Sequence, residues 1–264
     1  MSATGVSSPG RAEVGGRTLR RDTWWWPPLV TFVVFAAFVV YATVRAFMGS
    51  DYYAAPYLSP FYSPCLAASC VEGSSDLGQP IGGWWQLSPA LIILILPLGF
   101  RLTCYYYRKA YYRAFWLSPP ACAVAEPHRR YSGESRFPLI LQNVHRWFWL
   151  AAVLVAVVLS IDVVLAFRDA DGAWGHMGLG TLLMLVNVVL IWLYTLGCHS
   201  CRHIIGGRLR HFSKHPLRYR AWGVVSKLNA RHAQYAWASL ISVALVDLYI
   251  YLLAIDAFSD PRFF

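Results

Sequence analysis

Five long apolar runs alternate with polar connections along this chain, at about residues 25–48, 87–110, 145–167, 176–198 and 232–256. Each is near the roughly 20 residues that a helix needs to cross the hydrocarbon core of a bilayer. The pattern predicts an all-α integral membrane bundle of five transmembrane helices, occupying residues 24–264. The preceding segment, residues 1–23, is rich in Gly, Ser and Arg without periodicity and reads as a disordered tail. No small-residue cleavage site follows the first apolar run, which argues against a cleaved signal peptide.

The polar connections differ in charge, and the difference orients the bundle. Residues 49–86 contain Asp51, Glu72 and Asp76 but no Lys or Arg. The connection after the second run carries Arg108, Lys109, Arg113, Arg129, Arg130 and Arg136. The one after the fourth run is equally basic, from Arg202 to Arg231. Because Lys and Arg gather on the cytoplasmic side, the N-terminus is expected inside and the C-terminus outside, in the inner (plasma) membrane of the cell. Residues 105–115 contain no Gly or Pro, and residues 221–231 contain no Pro. Residues 105–115 are therefore expected to continue the second helix inward, and 221–231 to begin the fifth well inside the cytoplasm. Extended helix ends over about 101–137 and 199–231 would form a basic, aromatic platform for anionic lipid or a protein partner.

Composition adds one exclusion. With 57% hydrophobic and 14% charged residues, the chain is too apolar for an ordinary soluble domain. The cytoplasmic connections account for the net charge of +10, so nucleic acid is not an expected partner.

The candidate chemistry lies at the inner end of the fourth run, where residues 196–203 read L-G-C-H-S-C-R-H. Thiolates and imidazoles hold zinc, iron–sulfur clusters and haem. On a helix Cys198 and Cys201 would share a face. Counting from the outer end of each helix, Cys198 lies about 22 residues deep, or about 33 Å at 1.5 Å per residue. His145 is about 22 and His232 about 24 residues from the outer ends of their helices. Three helices thus present His, Cys and His at one depth. Cys104 falls about five residues shallower, and His199 turns about 100° away from Cys198 on a helix. Both stand in reserve as ligands. Haem b between two histidines, a Rieske-type [2Fe–2S] cluster and a Cys2His2 zinc all remain open on spacing alone. On the outer side, Cys65 and Cys70 are spaced for a disulfide in an oxidising compartment. Among ionisable residues within the apolar runs, Arg101 is a candidate quinone contact or the partner of a carboxylate, and Asp162 and Asp247 are expected to be paired.

Three stretches carry a resemblance: R-L-T-C-Y-Y-Y-R-K-A-Y-Y-R-A-F-W-L-S-P-P-A-C-A-V at 101–124, L-I-L-Q-N-V-H-R at 139–146, and L-G-C-H-S-C-R-H. Together they resemble the single-chain, five-helix membrane anchor subunit of actinobacterial-type succinate dehydrogenase (respiratory complex II). The resemblance implies a flavoprotein subunit and an iron–sulfur subunit docked on the cytoplasmic face, with electrons from succinate reaching a quinone there, menaquinone being expected. It also implies a Rieske-type [2Fe–2S] centre in the membrane subunit, with ligand roles carried onto His145, Cys198, Cys201 and His232. Haem b is the alternative within the same complex. Succinate oxidation itself belongs to a partner, since the chain has no flavin or dinucleotide fingerprint. Tyr105, Arg108, Trp116 and Ser118 are the expected quinone contacts, as hydrogen-bonding and stacking groups near the docking face. A different class of function, a stand-alone membrane thiol:quinone oxidoreductase, would instead pass electrons from Cys65 and Cys70 to the quinone.

Overall fold

The computed structural model describes residues 22–66, 85, 87–122, 124, 144–207 and 209–264. Among the described residues, four helices are long and apolar enough to cross a bilayer: α1 (Trp26–Met48), α5 (His145–Leu165), α6 (Leu179–Leu196) and α9 (His232–Ala254). The second apolar run is a chain of short helices, α2 (Ala90–Ile93), α3 (Ile95–Thr103) and α4 (Tyr105–Ala110), continued by a π-turn at Tyr111–Phe115. Taken as one broken span, it makes a fifth crossing, bent by 67°.

That bend corrects the expected continuous second helix. Cys104 has extended backbone angles (φ −70°, ψ 135°), so α3 stops before it and α4 starts after it. A threonine stands one residue earlier. The Thr103 hydroxyl donates back to the Gly99 carbonyl at 2.7 Å, a hydrogen bond that competes with the helical ladder and commonly bends helices. Two similar corrections follow. Cys198 is also extended (φ −67°, ψ 145°) and caps the separate helix α7 (His199–Gly206), its sulfur accepting from the Ser200 amide. The CxxC therefore straddles a helix boundary and does not lie along one helical face. The fifth span does not begin inside the basic connection either: α8 (Pro216–Ala230) is a separate helix, interrupted at Arg231 before α9 starts at His232.

At the other end of the bundle, a two-stranded hairpin, Tyr53–Ala54 with Tyr57–Leu58, introduces a loop that plugs the space between helices. Leu58, Phe61 and Tyr62 are buried there with Ala46 and Ala90. Polar groups fasten the plug. Arg45 and Asp247 form a buried ion pair at 2.8 Å, and the same carboxylate accepts from Ser59 and Tyr41, each at 2.5 Å. Ser63 donates to Asp162. Both membrane-buried carboxylates thus have partners, as charge burial requires. Cys65 is buried and disulfide-bonded, and Cys70 lies outside the described residues.

Candidate redox centre

Three helix interruptions and one helix start meet at a single level: Cys104 between α3 and α4, Cys198 between α6 and α7, His232 opening α9, and His145 opening α5. Irregular backbone inside a membrane bundle is tolerated where it lines a cavity or is buried in protein. Here it surrounds a cavity of about 630 Å³ whose walls include Cys104, Cys198, His145, His199 and His232.

The sulfurs and imidazoles face one another in two pairs. His145 Nε2 lies 3.2 Å from Cys198 Sγ, and His232 Nε2 lies 3.9 Å from Cys104 Sγ. The kink explains why Cys104, expected about one and a half helical turns too shallow, reaches the layer. Cys201 is buried in the same core as Val225 and Cys198 but does not line the cavity. His199 lines it from an exposed position at the start of α7.

Packing and hydrogen bonds aim both rings. The His145 ring stacks on Phe100 at 4.8 Å and 8°. Its Nδ1 lies 2.8 Å from Thr103 Oγ1. Because the Thr103 hydrogen is given to the Gly99 carbonyl, the hydroxyl oxygen is left to accept Nδ1–H, and the lone pair of Nε2 is directed at Cys198. A partner on the second ring nitrogen is the usual way of fixing a histidine ligand. His232 stacks on Tyr194 at 4.9 Å and 12°, and its buried Nδ1 has no hydrogen-bond partner among the described residues. The turns are pinned as well: Asn229 donates to the Gly197 carbonyl at 2.8 Å, and Trp149 to that of Thr195 at 2.8 Å. Thr103, Asn229 and Tyr194 went unnoticed as supporting residues in the sequence, where a lone Thr or Asn carries no periodic signal.

Burial pushes the Cys198 thiol up to about 12, against the opposing pull of the Ser200 amide, and burial raises Cys201 too. Such thiols stay protonated near neutral pH until a metal displaces the proton. The donor set, two imidazoles and two thiols with an orphaned buried nitrogen, fits a Cys2His2-ligated group. Among the described residues, no three His, Cys, Asp or Glu side chains are gathered around one point. A single zinc would draw four donors to within about 2.0–2.3 Å of itself, and a Rieske-type cluster would take both thiols on one iron and both imidazoles on the other; each pair here joins one thiol to one imidazole, so the pairing does not choose between the two.

The expected quinone residues separate. Tyr105 and Arg108 line the cavity, together with Arg146, Arg202 and Trp222. Trp116 is largely exposed beyond the π-turn, and Ser118 is buried, its amide donating to the Tyr112 carbonyl. Neither is part of the cavity wall.

Comparison with known proteins bears on this geometry. Residues 26–256 match the family model for actinobacterial succinate dehydrogenase subunit SdhC. A chain of the Mycobacterium smegmatis Sdh1 complex in the apo form is similar at 56% identity and a TM-score of 0.86, across 99% of this chain and 100% of that one. No curated protein matches.

Proposed function

The chain belongs to the actinobacterial succinate dehydrogenase SdhC family, and from that premise we propose that it is the membrane anchor of a succinate:quinone oxidoreductase in the plasma membrane. It docks the flavoprotein and iron–sulfur subunits on the basic, cytoplasmic face, forms the quinone site and holds a Rieske-type [2Fe–2S] centre. The observation that carries the last point is the convergence of two imidazoles and two thiols on one cavity at a layer of helix breaks. When bound, such a centre supplies one-electron transfer at the face where the partner subunits deliver electrons.

The residues of the chain divide the remaining work. His145 and His232 are the nitrogen ligands, and Cys198 and Cys104 the sulfur ligands. Cys104 takes the place expected of Cys201 because its sulfur faces His232 across the cavity. Thr103 holds the His145 ring by Nδ1. Tyr105 and Arg108, on the same cavity wall, can donate hydrogen bonds to a quinone carbonyl, and the guanidinium of Arg108 offsets charge developing on the quinone oxygen. Arg202, stacked over Trp222 at 4.8 Å, keeps a second cation at the mouth.

Electron paramagnetic resonance with optical spectroscopy on the purified, reduced complex tests this reading. A low-g-average [2Fe–2S] signal lost in Cys104→Ser and retained in Cys201→Ser is the expected result. The reverse pattern restores Cys201 as the ligand, and a haem b band without such a signal sinks the cluster altogether. Absence of a co-purifying flavoprotein would sink the complex II reading itself.

The thiol-oxidoreductase alternative requires Cys65 to exchange disulfides with substrate proteins. Its sulfur is fully buried under the hairpin loop, which leaves an attacking thiolate no access. Cys65→Ser is accordingly expected to leave succinate-dependent quinone reduction by the assembled complex near the unaltered rate. Abolished turnover in a complex that still assembles would favour the alternative.

A further inference from the structure

Arg101 is a cation inside the broken span with no counter-ion: among the described residues, no carboxylate pairs with it. Its Nη1 donates to the Tyr107 hydroxyl at 2.5 Å and to the Ala236 carbonyl at 3.3 Å, and its Nη2 donates to Ser239 Oγ at 3.2 Å. All three acceptors are neutral. The guanidinium lies over the Tyr194 ring at 5.0 Å and the Tyr107 ring at 5.6 Å. It is absent from the cavity wall, so it does not meet a quinone there. A charge held in this way, within the apolar part of a bundle, is costly and calls for a functional partner.

The candidate partner lies one ring away. Tyr194, over which Arg101 sits, is the ring stacked on His232. Tyr194 is fully buried, and its hydroxyl has no well-aligned hydrogen-bond partner. It shares one buried core with Cys104, whose sulfur lies 3.9 Å from Nε2 of that same His232 ring. Arg101 therefore stands behind the His232–Cys104 half of the centre, on the side away from the cavity. Arg108, buried in the cavity wall, lies on the other side and acts on His145.

We propose that Arg101 is the fixed counter-charge of the redox centre, set behind the Tyr194 ring so that its field favours the reduced state. The proposal rests on the reading of the centre as a two-iron, two-sulfide cluster with two thiolate and two neutral imidazole ligands. A group held by those four ligands would be formally neutral when oxidised and would gain one negative charge with the one electron that the partner iron–sulfur subunit supplies, no bond being broken and no proton moved. In surroundings of low dielectric, a nearby fixed cation stabilises that added charge far more than it would in water. Arg101 is a positioning and tuning residue, since it touches neither the cavity nor the ligand atoms.

The test is a redox titration of the purified complex followed by electron paramagnetic resonance, with iron content measured in parallel. Arg101→Gln is expected to disfavour reduction by tenfold or more, 59 mV for a one-electron couple, with iron content unchanged. Arg101→Lys keeps the charge and is expected to hold the potential well within that decade. Ser239→Asp leaves Arg101 in place but sets a neutralising carboxylate at Nη2, and is expected to lower the potential in the same direction. An unaltered potential in Arg101→Gln, or in Ser239→Asp if the first variant does not assemble, overturns the proposal. A wild-type complex without a [2Fe–2S] signal removes the reading of the centre, and this inference with it. A wild-type signal whose potential ignores both substitutions removes the inference alone.

Discussion

His145→Ala is expected to abolish the [2Fe–2S] signal of the reduced complex and to lower succinate-dependent quinone reduction by more than about 100-fold. The magnitude follows from the hydrogen-bonded partners of metal ligands, whose removal already costs about 10–100-fold in affinity or activity; a ligand should cost more. Its Nε2 is the atom that faces Cys198, and Phe100 and Thr103 hold the ring in that orientation. Thr103→Val provides the graded companion. It keeps the shape, removes the acceptor of Nδ1–H, and is expected to weaken cluster retention within the 10–100-fold range without eliminating the signal. Iron content and spectra of the purified complex check both. A full signal in His145→Ala would remove this histidine from the ligand set.

The second large effect lies at the opposite end of the bundle and concerns stability. Asp247→Ala is expected to destabilise the subunit by about 3–5 kcal/mol, because it leaves Arg45 buried and uncompensated. Arg45 and Asp247 are 2% and 0% exposed, so little solvent is available to take over. The substitution also strands the hydroxyls of Tyr41 and Ser59, which donate to the same carboxylate. The plug loop, anchored through Ser59, should loosen with it. A double replacement, Arg45→Met with Asp247→Leu, is expected to recover most of the loss, since exchanging a buried pair for apolar groups of similar size is often neutral. Thermal unfolding of the complex in detergent measures both. Equal destabilisation by the single and double variants would show that the pair is not the source of the effect.

How much of this was legible beforehand depends on the range of the interaction. The five apolar runs, and the charge difference between their connections, follow from hydropathy and from where Arg and Lys fall, both local properties. The common depth of His145, Cys198 and His232 was also within reach, because helix rise is a fixed length per residue. The partners of Arg45 and Asp247 were not, since 202 positions separate them and periodicity says nothing about which helices touch.

The clearest divide is at Cys104. From the sequence, Tyr105–Phe115 looked like uninterrupted helix, because no Gly or Pro stands there to stop it. At the break the Thr103 hydroxyl bonds both to the carbonyl of its own helix and to the ring of His145 on another. Thr43 makes the first of these bonds inside the unbroken helix α1, so a threonine's identity alone could not announce the break. By itself the sequence determined the membrane class, the apolar runs and the residue types able to hold a metal, because these depend on composition and on fixed helical geometry. Only the tertiary structure decided which two thiols face the histidines, which rings hold them and where Arg101 sits, because those depend on helix breaks and packing between segments far apart in the chain.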